Sequence, residues 1–354
     1  MRVLVTGGAG FVGANLAIGL AAAHPDWELV ALDNLHRRGS ELNLPRLEAA
    51  GVAFVRGDVR SPEDLAATGP VDALVECSAE PSVLAGVGES PDYVFHTNLV
   101  GAYTCLEHCR RHGAQLVFCS TSRVYPVRHL NELALEENET RFVLAAAQPL
   151  SGASAAGVAE TFPLDGARTL YGATKLAAEL LVEEYRAAYG VRAVVDRFGV
   201  IAGPWQMGKV DQGVIAHWVI AHRFGRPLQY LGFGGGGKQV RDVLHVDDAV
   251  ALIDLQLQDP AHWDGVVANA GGGLERSVSL RELTALCREL TGRETTVTGD
   301  GADRPGDVPL YVSDCAHLET LTGWRPQRDV RAIVADVAAW VDANAADLEP
   351  LHAA

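Results

Sequence analysis

The stretch VLVTGGAGFVG, residues 3–13, constrains this chain more than any other. Gly7, Gly10 and Gly13 stand between a short apolar run and an apolar helical pattern, and Gly8, Gly10 and Gly13 also satisfy G-x-G-x-x-G. Glycines so spaced let the backbone turn tightly and approach a pyrophosphate, whose charge rests at the N-terminus of the following helix. Alone, the motif is weak. It gains force from Asp33, which ends ELVALD 20 residues beyond Gly13, where a carboxylate can accept both ribose hydroxyls of an adenine dinucleotide. An acid there repels a 2′-phosphate and favours NAD, although Arg37 and Arg38 follow closely and leave NADP open. Asp58, in RGDVR, ends a further strand pattern and is placed to meet the adenine amino group.

The rest of the first two-thirds repeats the same alternation. Strand patterns at RVLVTG, WELVALD, VAFVRGD, VDALVEC, QLVFCS, RAVVDRF and GVVANAG are separated by helical patterns, notably 11–23, 91–112 and 171–189. Strands apolar on both faces, alternating with helices, predict an α/β fold: a Rossmann-type doubly wound parallel sheet. From about Gly199 the pattern loosens into Gly- and Pro-containing loops with helices near 212–224, 279–291 and 328–345. This predicts a smaller α+β lobe for the substrate. The expected division is 1–200 with 243–272 for the cofactor domain, and 201–242 with 273–346 for the lobe. PLSGASAAGVAE, 149–160, is small and polar enough to read as a mobile insertion.

Composition excludes several classes of partner. A formal net charge of -16 argues against nucleic acid and anionic membrane, because phosphate contacts need a basic surface. Any anionic ligand must instead be held by locally placed arginines and backbone N–H groups. No apolar run is long enough to span a bilayer, and Met1 opens directly onto a strand pattern, so a cytoplasmic protein is expected. The six cysteines show no disulfide spacing. Cys105, His108, Cys109 and His112 fall on one helix face, but one straight helix rarely wraps four ligands around an ion, so no metal is expected. GFGGGGKQ nearly spells a phosphate loop, yet Gln239 occupies the position that needs a hydroxyl for magnesium.

Basic positions in this chain are normally arginine; the three lysines are Lys175, Lys209 and Lys238. One of them, Lys175, lies four residues after Tyr171, on the same helix face. With 8 tyrosines, about 0.07 chance matches to Y-x-x-x-K are expected, so the pair carries information. A nearby ammonium, with the positive charge of an oxidised nicotinamide, should lower the pKa of the phenol. Tyr171 can then take a proton from a sugar hydroxyl while Lys175 holds the nicotinamide ribose.

TGGAGFVG, Y-x-x-x-K on a central helix and STSRVYP after a strand together resemble the extended short-chain dehydrogenase/reductases over nearly the whole chain. The resemblance implies that Thr121, helped by Ser120 or Ser122, completes the catalytic set with Tyr171 and Lys175. It implies further cofactor contacts from Phe11, Val12, Asn34, Val59, Ser78, Ala79 and Asn98. LDNLHRRGSELN, DQG at 211–213, GGKQVRDVLHVDDAV, RPGDVP and LTGWRP narrow the likeness to nucleotide-sugar epimerases, most closely the CDP-tyvelose (CDP-paratose) 2-epimerases. Arg241 and Arg304 are then expected to grip the substrate diphosphate, with Glu80, Ser122, Arg123 and Gln212 around the sugar nucleotide, in a homodimer.

Two departures from that pattern are visible. Glu76 stands where many relatives carry histidine, and Ser122–Arg123 replaces the Asp–Glu pair of the family's dehydratases. The expected reaction is therefore NAD-dependent epimerisation of a nucleotide sugar through a transient keto-sugar, by resemblance at carbon 2 of a CDP-sugar. The residues themselves do not distinguish carbon 2 from carbon 4. A 4-epimerase, a decarboxylase or dehydratase, and a non-catalytic NAD-binding regulator are the alternatives.

Overall fold

The computed structural model describes residues 1–208, 212–302, 304 and 306–351. Its central sheet has seven strands: β1 (Arg2–Thr6), β2 (Glu28–Asp33), β3 (Ala53–Arg56), β4 (Ala73–Glu76), β5 (Gln115–Thr121), β6 (Ala193–Phe198) and β7 (Val267–Ala270). Their order is β7-β6-β5-β4-β1-β2-β3, and β1 to β5 pair in parallel. The order reverses between β1 and β4. Such a switch point opens a crevice at the carboxyl ends of the strands, which is where a dinucleotide binds in sheets of this kind. The strands are apolar on both faces because both faces are covered. Leu4, Val30, Leu74, Leu116 and Phe118 lie in one core with Leu106 and Cys105 of α2 (Gly101–His112) and Ala178 and Val182 of α3 (Leu170–Tyr189). On another face of the sheet α1 (Phe11–Ala23) packs against α4 (Val246–Gln258).

The expected helix over 91–112 is helical throughout but irregular. Asp92–Phe95 passes through a π-helical segment, His96–Val100, before α2 begins. Such widened turns cluster at functional sites, and this one carries Asn98.

Two compact units emerge: Met1–Val124 with Leu170–Arg197 and Val246–Ala268, and Tyr125–Thr169 with Phe198–His245 and Asn269–Ala354. Residues 125–169 thus cluster with the second unit. That unit holds a four-stranded sheet of Val200–Ala202, Val240–His245, Ser277–Ser279 and Leu310–Tyr311, and a parallel pair, Leu228–Leu231 with Val297–Asp300. Helices Val214–Phe224, Leu280–Thr291 and Val330–Ala343 enclose a core of Trp218, Val219, Leu283, Ile333 and Val337. Ser279 and Glu282 form a capping box that starts the second of these helices.

The segment expected to be mobile is packed. Ala153–Ser154 and Gly157–Val158 form a hairpin, and Val158 exchanges backbone hydrogen bonds with Val312 (2.8 Å) and Asp314 (2.9 Å). Val158 and Phe162 are buried, and the Glu160 carboxylate accepts from the Asn269 N–H at 2.7 Å. Val158 within this small, polar run and Phe162 just after it are the apolar side chains that dock it.

Candidate active site

The glycine turn follows β1 directly. Gly7 has φ +64°, and a Cβ there would lie 2.9 Å from the Cys77 carbonyl carbon. A Cβ on Gly13 would stand 2.2 Å from Gly7 O, so any side chain would force the turn away from the helix. Gly10 is the N-cap of α1 and gives no side-chain cap, and no acidic residue lies in the first turn. The N–H groups of Phe11, Val12 and Gly13 therefore lack an internal acceptor of the capping kind, which leaves a positive, donor-rich end suited to a pyrophosphate.

Asp33 closes β2 beside this turn. One carboxylate oxygen accepts from Ala9 N at 3.1 Å, the other from Leu35 N at 2.8 Å. Each oxygen keeps a lone pair for a ribose hydroxyl. Burial pushes its pKa up, opposed by the N–H groups of Leu35, Ala9 and Gly10. Asp58 lies two residues beyond the end of β3, not within it. Its carboxylate accepts from Arg60 at 2.7 and 2.8 Å and from Asn34 Nδ2 at 2.9 Å, and the Arg60 hydrogen bond is the main reason its pKa falls well below the usual range. Val59 is buried in the core, with its carbonyl accepting from Thr104.

After β4 the chain runs through Ser78, Ala79 and Glu80. Asn98 holds this run: its Oδ1 accepts from Glu80 N at 2.8 Å, and its Nδ2 donates to Glu80 O and to Thr174 Oγ1, each at 3.2 Å. The π segment thus delivers one buried amide that ties the β4 loop to α3. Glu80 Oε1 accepts from Ser82 N at 3.1 Å. These donors and acceptors, with the uncapped turn, fit NAD.

Tyr171 and Thr121 come together. The Thr121 hydroxyl hydrogen-bonds the phenol and also accepts from Arg123 N at 3.2 Å in the turn Ser122–Val124. Ser120 is diverted: its hydroxyl donates to Glu179, which in turn pairs with Arg197 at 2.7 Å. Lys175 is buried, its Nζ 4.0 Å from the centre of the Phe118 ring and 3.0 Å from Glu76 Oε2. Burial works against the ammonium, but the Glu76 carboxylate and the Tyr171 phenol outweigh it and hold the Lys175 pKa above its ordinary value.

The protein's own groups act on the Tyr171 phenol in opposite directions. Burial raises its pKa, and the opposing effects of Lys175, Thr121 and Arg123 do not reverse that, while Glu76 adds to the rise. The physical reason is burial itself, which takes the phenolate out of water and is the largest contribution. Glu76 was noted in the sequence only as a departure. Its signal is a carboxylate in the otherwise apolar strand ALVE, Ala73–Glu76.

In the second unit, Arg241 lies in the strand Val240–His245. Its Nη2 is 3.0 Å from Asp307 Oδ1 and 2.8 Å from Val308 O, and Arg304 Nη2 is 3.5 Å from Asp307 Oδ2. The two expected phosphate-binding arginines thus converge on one carboxylate, Asp307, which sequence analysis did not single out. Gln212 is half-buried just before Val214–Phe224; Asp211 of the same motif lies outside the described residues. Lys238 of the glycine-rich loop is engaged with Glu137 at 2.7 Å and Asn138 O at 2.8 Å. Cys105, Cys109 and His108 of the α2 cluster are buried, and burial lowers the His108 pKa to about 4. No helix among the described residues is long and apolar enough to cross a membrane.

A family model for the NAD dependent epimerase/dehydratase family matches residues 3–271. The chain is 29% identical over 338 residues to a CDP-paratose 2-epimerase of Salmonella typhi, covering 92% of this chain and 95% of that one. It is 32% identical over 360 residues to a dTDP-glucose 4,6-dehydratase of Mycolicibacterium smegmatis, covering 99% and 96%. Among solved structures it resembles a Thermus thermophilus UDP-glucose 4-epimerase in complex with NAD, with TM-score 0.77, 28% identity, and 97% and 99% of the two chains covered. A family match across most of the chain, joined to a glycine turn after β1, an acid at the end of β2 and Tyr171 beside Thr121 and Lys175, makes this chain a member of the NAD dependent epimerase/dehydratase family, with NAD as its cofactor.

Proposed function

We propose that this protein epimerises a nucleotide sugar, a CDP-sugar at carbon 2, by transient oxidation to a keto-sugar. The observation that carries the reading is the hydroxyl pair Tyr171–Thr121, with Lys175 and Arg123 as its cationic neighbours. Removing and returning one hydroxyl proton needs a phenol and a hydrogen-bond donor to the same oxygen, and both are there. Elimination of water needs a further acid–base pair. Ser122 and Arg123 supply none, Glu80 is turned to Ser82 N, and Glu76 is enclosed with Lys175. This favours epimerisation over the dehydratase chemistry named for other relatives. The choice of a CDP-sugar and of carbon 2 rests on the similarity to the Salmonella enzyme.

In this reading Gly7, Gly10, Phe11, Val12 and Gly13 hold the NAD pyrophosphate, Asp33 the adenosine ribose, and Asn34, Asp58 and Val59 the adenine side. Ser78, Ala79 and Asn98 line the nicotinamide half. Bound NAD supplies the hydride acceptor, the later hydride donor, and a positive ring that favours the phenolate. Tyr171 takes the proton of the sugar hydroxyl, Thr121 steadies that oxygen, and Lys175 stabilises the charge on Tyr171. Tyr171 then returns the proton to the inverted product. Arg241 and Arg304 bind the diphosphate, and Gln212, Glu80, Ser122 and Arg123 surround the rest of the substrate. Tyr103, Leu180 and Tyr189 are exposed on the outer faces of α2 and α3, which supports pairing of two copies there. Six free cysteines suit a reducing, cytoplasmic setting.

The test is incubation with a panel of CDP-, UDP- and dTDP-sugars, followed by NMR. Inversion at C2 of a CDP-sugar is expected. Inversion at C4, release of water, or build-up of NADH would each replace the reading with a different one.

A further inference from the structure

Glu76 and Lys175 stand 99 residues apart in sequence and meet as an enclosed ion pair, with side chains 1% and 2% exposed. Glu76 ends β4, with Thr6 of β1 and Phe118 of β5 as its register partners on either side. Lys175 descends from α3 over Phe118. Among the described residues, Glu76 Oε1 has no hydrogen-bond partner. A buried ion pair gives little net stability over an apolar pair of similar volume, and an unsatisfied carboxylate oxygen adds a cost. The fold alone does not account for this pair. The ammonium has three N–H donors and spends one on Glu76, which leaves two for other acceptors.

We propose that Glu76 is a positioning residue for Lys175: it fixes the ammonium in an enclosed seat and keeps it charged, so that the lysine can serve the cofactor ribose and Tyr171. The proposal rests on the reading of Lys175 as part of the NAD site. The titratable groups around the pair are Tyr171 on α3, Cys119 on β5 and Cys105 on α2. A hydrogen bond with Cys77 and burial hold Cys119 well above the ordinary thiol range, burial does the same for Cys105, and burial raises Tyr171. Lys175→Met, which keeps all three groups but lacks the ammonium, separates loss of the lysine's charge from their titration.

The experiment is calorimetric NAD binding between pH 6.5 and 10 with wild type, Glu76→Gln and Lys175→Met. Lys175→Met should weaken NAD binding at every pH. Glu76→Gln should bind nearly as wild type at pH 6.5 and lose affinity about one pH unit or more below the point where wild type does, since an opposite charge at this range shifts a pKa by about 1–3 units. If Lys175→Met weakens binding but Glu76→Gln follows wild type throughout, the proposal is overturned while the reading of Lys175 stands. If Lys175→Met binds as wild type, the reading of the lysine falls first and the proposal with it. Thermal unfolding guards against a Glu76→Gln chain that does not fold alone. Lys175→Met should unfold at lower temperature than wild type, and the double variant Glu76→Gln/Lys175→Met should recover part of that loss. Equal stability of single and double variants would show that the two charges are not coupled, and would overturn the proposal.

Discussion

The glycine turn of the first unit and the arginine pair of the second present positive charge in opposite ways. In the turn, charge comes from backbone N–H groups fixed by the fold, and Asp33 is held in place by two of its neighbours' N–H groups. No side chain there has to move for a pyrophosphate to be met. In the second unit the charge sits on two long side chains, 17% and 35% exposed, that already share a carboxylate, Asp307. In the function proposed above, a diphosphate there would replace an internal ion pair. The first kind of site would then give affinity through preorganisation and the second selectivity, because only a ligand that outcompetes Asp307 would keep the arginines.

The sharpest way to break this comparison is at the chemistry that the turn serves. Tyr171→Phe keeps the ring and removes the proton acceptor, so turnover should fall by about 10²–10⁴-fold with NAD affinity unchanged. Steady-state kinetics and calorimetry on the same preparation check it. A variant keeping more than about a third of wild-type turnover would mean that another base operates.

Arg241→Ala and Arg304→Ala test the second kind of site. Each removes a charge-assisted hydrogen bond, worth about 1.5–3 kcal/mol, so CDP-sugar affinity should fall about 10- to 150-fold. NAD affinity should barely change, because no arginine of this pair belongs to the turn. Unchanged sugar-nucleotide binding in both variants would remove the contrast between the two regions.

The smallest effect sharpens what enclosure alone does to a carboxylate in the sheet. Asp196 on β6 is fully buried, accepts from Gln256 Nε2 at 2.8 Å, and has no partner for Oδ2. Burial pushes its pKa up to about 7. The folded chain therefore keeps a proton that the unfolded chain releases, and stability falls as pH rises from about 4 to about 7. Asp196→Asn should remove that fall: equal stability near pH 4 and greater stability than wild type at pH 8, read from denaturant unfolding. A variant no more stable at pH 8 would show that the folded protein carries the Asp196 charge without cost.

How far the sequence reached follows the same division. The turn, Asp33 and the Tyr171–Lys175 spacing were legible because each is local: a glycine where a Cβ cannot fit, an acid at a strand end, two side chains one helical turn apart. The pairings that tune them were not. Glu76 meets Lys175, Glu179 captures Ser120, and Asp307 joins Arg241 to Arg304 only once distant segments have folded together. Each is a contact between charges or hydroxyls whose sequence spacing has no period. A hairpin that composition alone marks as loose is likewise held by Val158, which is buried and hydrogen-bonds to Val312 and Asp314 more than a hundred residues away.

The most direct test of oxidation and return at one carbon is isotopic. A CDP-sugar carrying deuterium on C2 is converted by the purified protein with its own NAD, in ordinary water, and the product is read by NMR and mass spectrometry. Hydride removed and returned within one enclosed site leaves the deuterium on C2 of the inverted product. Loss of the label to water would mean that the carbon is deprotonated rather than oxidised, and would contradict the redox mechanism.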